Sequence, residues 1–129
     1  MNNARVIIVE DHPKTRSIYK ENLDICGHVV VGEADTVAAA ILMIDSLKAH
    51  RARVDVAIVD GSLSGDEADG TDGEVVAAYI HRMLGKVTII GAILEGGVHG
   101  ADINVSKQDP YELYETIQTL QEPAFKNKR

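Results

Sequence analysis

Five short apolar runs recur along the chain: VIIV at 6–9, VVV at 29–31, VAIV at 56–59, VTII at 87–90 and INV at 103–105. They are continuous and rich in β-branched residues, the pattern of strands covered on both faces. The stretches between them carry helical spacing. Pro13 suits a first helical position, Ile18, Tyr19 and Leu23 follow as an apolar stripe, and Gly27 supplies a stop. Asp35 or Thr36 can cap a second helix with Val37, Ala40, Ile41, Ile44 and Leu47 on one face. Gly73 opens a third, with Val76, Tyr79, Ile80 and Met83. Asp109 and Glu112 form a capping-box pair around Pro110, ahead of Leu113, Ile117 and Leu120.

Strands that alternate with helices predict parallel strands joined by right-handed crossovers. The expected fold is a doubly wound α/β sandwich with the flavodoxin-like strand order 2-1-3-4-5. Such sheets bind ligands outside the carboxyl ends of their strands, where the order reverses. At those ends stand Glu10 and Asp11 after strand 1, Asp60 after strand 3, Gly91 and Ala92 after strand 4, and Lys107 beyond Val105 of strand 5.

Composition narrows the class. The 129 residues, 45% apolar and 26% charged, describe one globular domain; we expect it over residues 1–122, with 123–129 as a tail. The net charge of −7 argues against a nucleic-acid surface. The basic cluster Lys126, Lys128 and Arg129 reads as a solvated terminus. No apolar run approaches the roughly 20 residues that span a bilayer, so no membrane role is expected. The N-terminal residues lack the basic head and apolar stretch of a signal peptide. The single Cys26 cannot form an internal disulfide, which makes a reducing cytoplasm the default; in its apolar stretch it reads as core filler.

Three carboxylates from two neighbouring strand ends would converge on one crevice. Any one of them alone reads more readily as a structural helix cap than as a functional group, as Asp11 before Pro13 illustrates. Together they repel and raise one another's pKa unless a cation intervenes. Carboxylates with room for water suit Mg²⁺. Beside such an ion, one carboxylate can attack phosphorus and become an aspartyl phosphate. Lys107 would then hold a phosphoryl oxygen as a mobile point charge.

At this point the sequence resembles a known family. VIIVEDHP at 6–13, VAIVDGSL at 56–63 and GADINVSKQDP at 100–110 look like the three signature segments of response-regulator receiver domains. VVVGEADT at 29–36 is similar to that family's second strand and turn. The likeness runs in order from about residue 4 to residue 121. It implies Asp60 as phosphoacceptor, Asp11 as direct Mg²⁺ ligand with Glu10 helping through water, a backbone carbonyl from Ser62 on the metal, and Lys107 on the phosphoryl group. It implies a phosphohistidine donor on a sensor histidine kinase or phosphotransfer protein, a downstream protein partner, and a phosphoacceptor instead of an enzyme in its own right.

The chain departs from that pattern in three places. Receivers usually carry Thr or Ser at the end of strand 4 and often an aromatic three residues before the lysine, and the two move together on activation. Here those positions hold Gly91 and Asn104. The segment from Ile93 to His99 is short and contains Gly96 and Gly97, so the family's fourth helix is expected to shrink to a turn or loop. The loop after Asp60 is long and acidic, with Asp66, Glu67, Asp69, Asp72 and Glu74. An EF-hand reading of it fails because Gly65 or Ala68 falls where the first ligand belongs. We read it as a solvated loop in preference to a lid or a docking surface for a basic partner. The five histidines show no metal-ligand spacing.

Two rival readings exist. A pseudo-receiver would use the same fold as a phosphorylation-independent interaction module; Gly91, Asn104 and the short segment favour it, and Glu10, Asp11, Asp60 and Lys107 oppose it. A phosphohydrolase of the haloacid dehalogenase type needs an acidic residue two places after its aspartate, where this chain has Pro13 or Ser62.

Overall fold

The computed structural model describes residues 3–61, 71–93 and 97–121. Ser62, most of the acidic loop, Leu94 to Gly96 and the C-terminal tail lie outside the described residues. The elements are β1 (Arg5–Val9), α1 (Pro13–Ile25), β2 (Val29–Ala34), α2 (Val37–Ala49), β3 (Val56–Asp60), α3 (Thr71–Leu84), β4 (Thr88–Ile93), β5 (Ile103–Ser106) and α4 (Pro110–Gln121). The strands form one parallel sheet in the order β2-β1-β3-β4-β5, as the alternation of runs predicts.

Pleating divides the central strands between two cores. Ile7, Val9, Ala57, Val59 and Ile89 face α2 and α3, where they meet Ala40, Ile44, Val76, Ala77 and Ile80. Val6, Ile8, Val56, Ile58 and Ile90 face the other way, onto Tyr19 and Leu23 of α1 and Leu113 and Ile117 of α4. A fully buried aliphatic side chain of this size contributes about 1.5–3 kcal/mol over leaving it exposed. That double burial is why the inner strands read as unbroken apolar runs. The outer strand β2 does not follow the expectation of two covered faces. It is an edge, Val29 is 47% exposed, and only Ala34 within it is buried.

Helix ends follow the local chemistry with three corrections. Thr36 is the cap of α2, its hydroxyl accepting from Ala39 N–H at 3.0 Å. Asp109 caps α4 by accepting from Tyr111 N–H at 3.1 Å. Glu112, the other half of the expected capping box, turns instead to Ser106 N–H at 2.8 Å and ties the helix to the end of β5. The third helix begins at Thr71, two residues before the expected Gly73. Cys26 is exposed, not core filler. It caps the C-terminus of α1 after the inward stripe has ended at Leu23, and Gly27 follows with φ of 88°.

Between β4 and β5 the described residues 97–102 contain a turn and no helix, so the helix count is reduced as expected. No helix among the described residues is long and apolar enough to cross a membrane.

His28 sits at the turn into β2 with 5% exposure, and its Nδ1 accepts from Ala4 N–H at 3.0 Å. Burial holds its pKa below the usual 6.5. A depressed folded value means the unfolded chain protonates first as pH falls, so His28 gives stability above about pH 6.5 that is lost below it. In His28→Asn the side-chain oxygen replaces the Nδ1 acceptor without titrating. Thermal melts should show wild type losing more Tm than His28→Asn between pH 7 and pH 5; equal losses would contradict this assignment.

Candidate functional site

The register of β1 on β3 builds the site. Val9 pairs with Val59, so the next residues along each strand, Glu10 and Asp60, emerge side by side at the carboxyl edge. Glu10 N–H still donates to Ala34 O at 3.0 Å, holding the chain in line as β1 ends. Arg16 on α1 donates from Nη1 to the Glu10 carbonyl at 2.8 Å and from Nε to Glu33 Oε1 at 3.0 Å. Sequence pattern carries no signal for the contact of Arg16 with Glu10, because the acceptor there is main chain.

Glu10 is 1% and Asp60 5% exposed, while Asp11 is half-buried. One ligand oxygen from each lies within 4.8 Å of the others. Lys107 reaches this pocket from the turn after β5, across the small end of β4, where Ala92 pairs with both Asp60 and Val105. Its Nζ donates to Asp60 Oδ1 at 3.0 Å and lies 3.0 Å from Glu10 Oε1. The second contact is an ion pair outside hydrogen-bond alignment, and Glu10 Oε1 makes no hydrogen bond. Glu10 Oε2 accepts from His12 N–H at 3.1 Å.

Burial, and then the charge of Asp60, push the Glu10 pKa up to about 7, against the opposing pull of Lys107 and the His12 N–H. For Lys107, burial opposes the charged form but is outweighed by the hydrogen bond to Asp60 and the negative charges of Glu10 and Asp60, so its pKa is raised. A buried carboxylate oxygen with no hydrogen bond, beside two more carboxylates, is the donor set of a hard divalent cation. Glu10, Asp11 and Asp60 fit Mg²⁺ by chemistry and spacing.

The structure thus brings together four of the five expected site residues; the fifth, Ser62, lies outside the described residues. It also reveals a neighbour. Gly73 N–H donates to Gly61 O at 3.3 Å, and a Cβ at Gly73 would fall 2.6 Å from the Asp60 carbonyl oxygen. The first turn of α3 therefore abuts the end of β3 through a residue with no side chain.

No protein-family model and no curated protein matches the sequence. Solved structures do match, over nearly its whole length. The signal receiver domain of a modulated diguanylate cyclase from Desulfovibrio desulfuricans G20 shares 20% identity, with 98% of each chain covered and a TM-score of 0.72. The response regulator TrrA from Thermotoga maritima, solved in complex with Mg(2+)-BeF, shares 25% identity over 91% of this chain and 98% of its own, with a TM-score of 0.72. RcsB from Salmonella enterica serovar Typhimurium, bound to promoter rprA in the presence of the phosphomimetic BeF3-, shares 28% identity over 93% of this chain and 100% of its own, with a TM-score of 0.68. The chain has the fold of a response-regulator receiver domain.

The raised pKa of Glu10 has a measurable consequence. Its folded value exceeds the ordinary 4.5, so its contribution is most favourable below about pH 4.5 and is lost as pH rises through about 7. In EDTA, Glu10→Gln should melt above wild type by a margin that widens from pH 5 to pH 8. A margin that is constant or shrinks over that range would show that Glu10 is not held protonated by its surroundings.

Proposed function

We propose that this domain is the phosphoacceptor of a two-component system, taking a phosphoryl group onto Asp60. The observation that carries the proposal is the meeting of Glu10, Asp11 and Asp60 with Lys107 at the carboxyl edge of a receiver sheet. An Asp60 carboxylate oxygen attacks the phosphorus of a phosphohistidine on a sensor histidine kinase or phosphotransfer protein. The P–O bond forms as the P–N bond breaks, and the imidazole nitrogen keeps the electron pair. Lys107 transfers its contact from carboxylate to phosphoryl oxygen, which a long stem and a point charge permit. Glu10, Asp11, Asp60 and the Ser62 carbonyl would hold Mg²⁺, which when bound neutralises the pocket and the incoming phosphoryl charge. The signal then passes to a protein partner, with no nucleic-acid contact by this acidic domain.

A second reading, a pseudo-receiver that binds partners without phosphorylation, is favoured by Gly91, which puts no hydroxyl beside the pocket. Hydrogen bonds to a charged acceptor are worth about 1.5–3 kcal/mol, so this loss weakens phosphoryl binding without removing the other contacts.

Incubation with acetyl phosphate and Mg²⁺ should add one phosphoryl group by intact mass. The gain should vanish in Asp60→Asn and in excess EDTA; its persistence in either would refute the assignment, and its absence in wild type would favour the pseudo-receiver.

Mg²⁺ binds the folded pocket and has no such site in the unfolded chain, so at ten times its Kd it should add about 1.4 kcal/mol of stability. Asp11→Ala should abolish the rise in Tm. Equal responses of wild type and Asp11→Ala to Mg²⁺ would place the metal elsewhere.

A further inference from the structure

Gly91 and Asn104, which stand at the two positions of the usual receiver switch pair, pair with each other in the β4–β5 register. A Cβ added at Gly91 would fall well inside van der Waals contact with Asn104 Oδ1, and 2.9 Å from Cβ and Cγ2 of Val98. A Cβ added at Gly97 would lie 3.1 Å from Asn104 Nδ2. The amide of Asn104 therefore fills the space that two glycines leave. It is also bonded there: Val98 N–H donates to Asn104 Oδ1 at 2.8 Å, which fixes the amide's orientation because only its oxygen accepts. Val98 is 3% exposed and packs with the α2–α3 core, while Asn104 itself is exposed.

We propose that Asn104 is a latch, seated between Gly91 and Gly97 and bonded to Val98, that holds residues 97–105 in one conformation whether or not Asp60 carries a phosphoryl group. In receivers with the usual pair, a hydroxyl moves toward the phosphoryl group and vacates room for an aromatic ring. Here the room is already filled by a bonded amide, and position 91 has no side chain with which to feel the phosphoryl group. A ligand shifts an equilibrium only as far as it interacts differently with the two states. Through position 91 a phosphoryl group on Asp60 has no such handle on this segment. The regulatory half of this inference rests on the phosphoacceptor reading; the latch itself does not.

The latch is tested without phosphorylation by a double-mutant cycle. Ala in place of Gly within a strand ordinarily stabilises slightly. In wild type, Gly91→Ala should instead lower Tm, and it should lower Tm less in the Asn104→Ala background. Equal shifts in the two backgrounds would overturn the latch. Should Gly91→Ala fail to fold, amide exchange decides: Asn104→Ala should speed exchange at Val98 by about tenfold, the scale of one lost hydrogen bond. Unchanged exchange there would overturn it. The regulatory half is read on wild type with Mg²⁺ and beryllofluoride. Protection should change at Gly61, beside the phosphoacceptor, and stay constant across residues 97–105. Matching changes in both places would sink the constant-segment claim. No change at either would count against the phosphoacceptor reading alone, with the cycle still deciding the latch.

Discussion

Two nearly inaccessible carboxylates, Glu10 and Asp60, stand side by side because β1 and β3 are parallel and paired Val9 to Val59. Everything at the carboxyl edge answers to that juxtaposition. Burying one unpaired carboxylate is unfavourable and burying two together is worse, so the pocket needs positive charge. Lys107 supplies one such charge from two strands away. One ammonium against Glu10, Asp60 and the half-buried Asp11 leaves the balance negative. Under the proposed function a cation would make up that deficit, and the long stem of the lysine would let it serve an anion once the cation is present. The repulsion that is unfavourable for folding is thus also what would suit the pocket to its proposed chemistry, as strained functional sites commonly are.

The rest of the molecule holds this edge in place. Two cores clamp the sheet from opposite faces, so the central strands have no freedom to slip in register. Arg16 fastens the Glu10 carbonyl to α1 and, through Glu33, to β2. Gly73 lets α3 approach the Asp60 backbone. On the far side, Asn104 and Glu112 bind the main chain at Val98 and Ser106, pinning the two ends of β5. Side chains of different elements thus converge on backbone groups around one rim.

Much of this was legible in the residues. Continuous β-branched runs marked the inner strands because those strands are buried on both sides, and the strand ends pointed to Glu10, Asp11, Asp60 and Lys107, which do meet at one edge, as a candidate site. The expected strand order already set β2 at an edge, but the exposure of its residues was not legible, since VVV at 29–31 has the same apolar pattern as the covered inner strands. Cys26 was misread because apolar composition does not reveal where a helix stripe ends. Glu112 followed a capping-box pattern yet chose a tertiary partner, and Arg16 and Asn104 bond to main chain, which leaves no trace in side-chain spacing. Gly91 and Asn104 were visible as departures, but their fit to each other appears only when the β4–β5 register is known.

The central claim is that Asp60 becomes an acyl phosphate. Borohydride reduces an acyl phosphate to an alcohol, so a phosphorylated aspartate is converted to homoserine and marked in place. After treatment with acetyl phosphate and Mg²⁺, then borohydride, peptide mapping should find homoserine at position 60 and at no other aspartate. Homoserine at position 11 instead, or a phosphoryl group that survives on a serine, threonine or histidine with position 60 unmarked, would contradict the account.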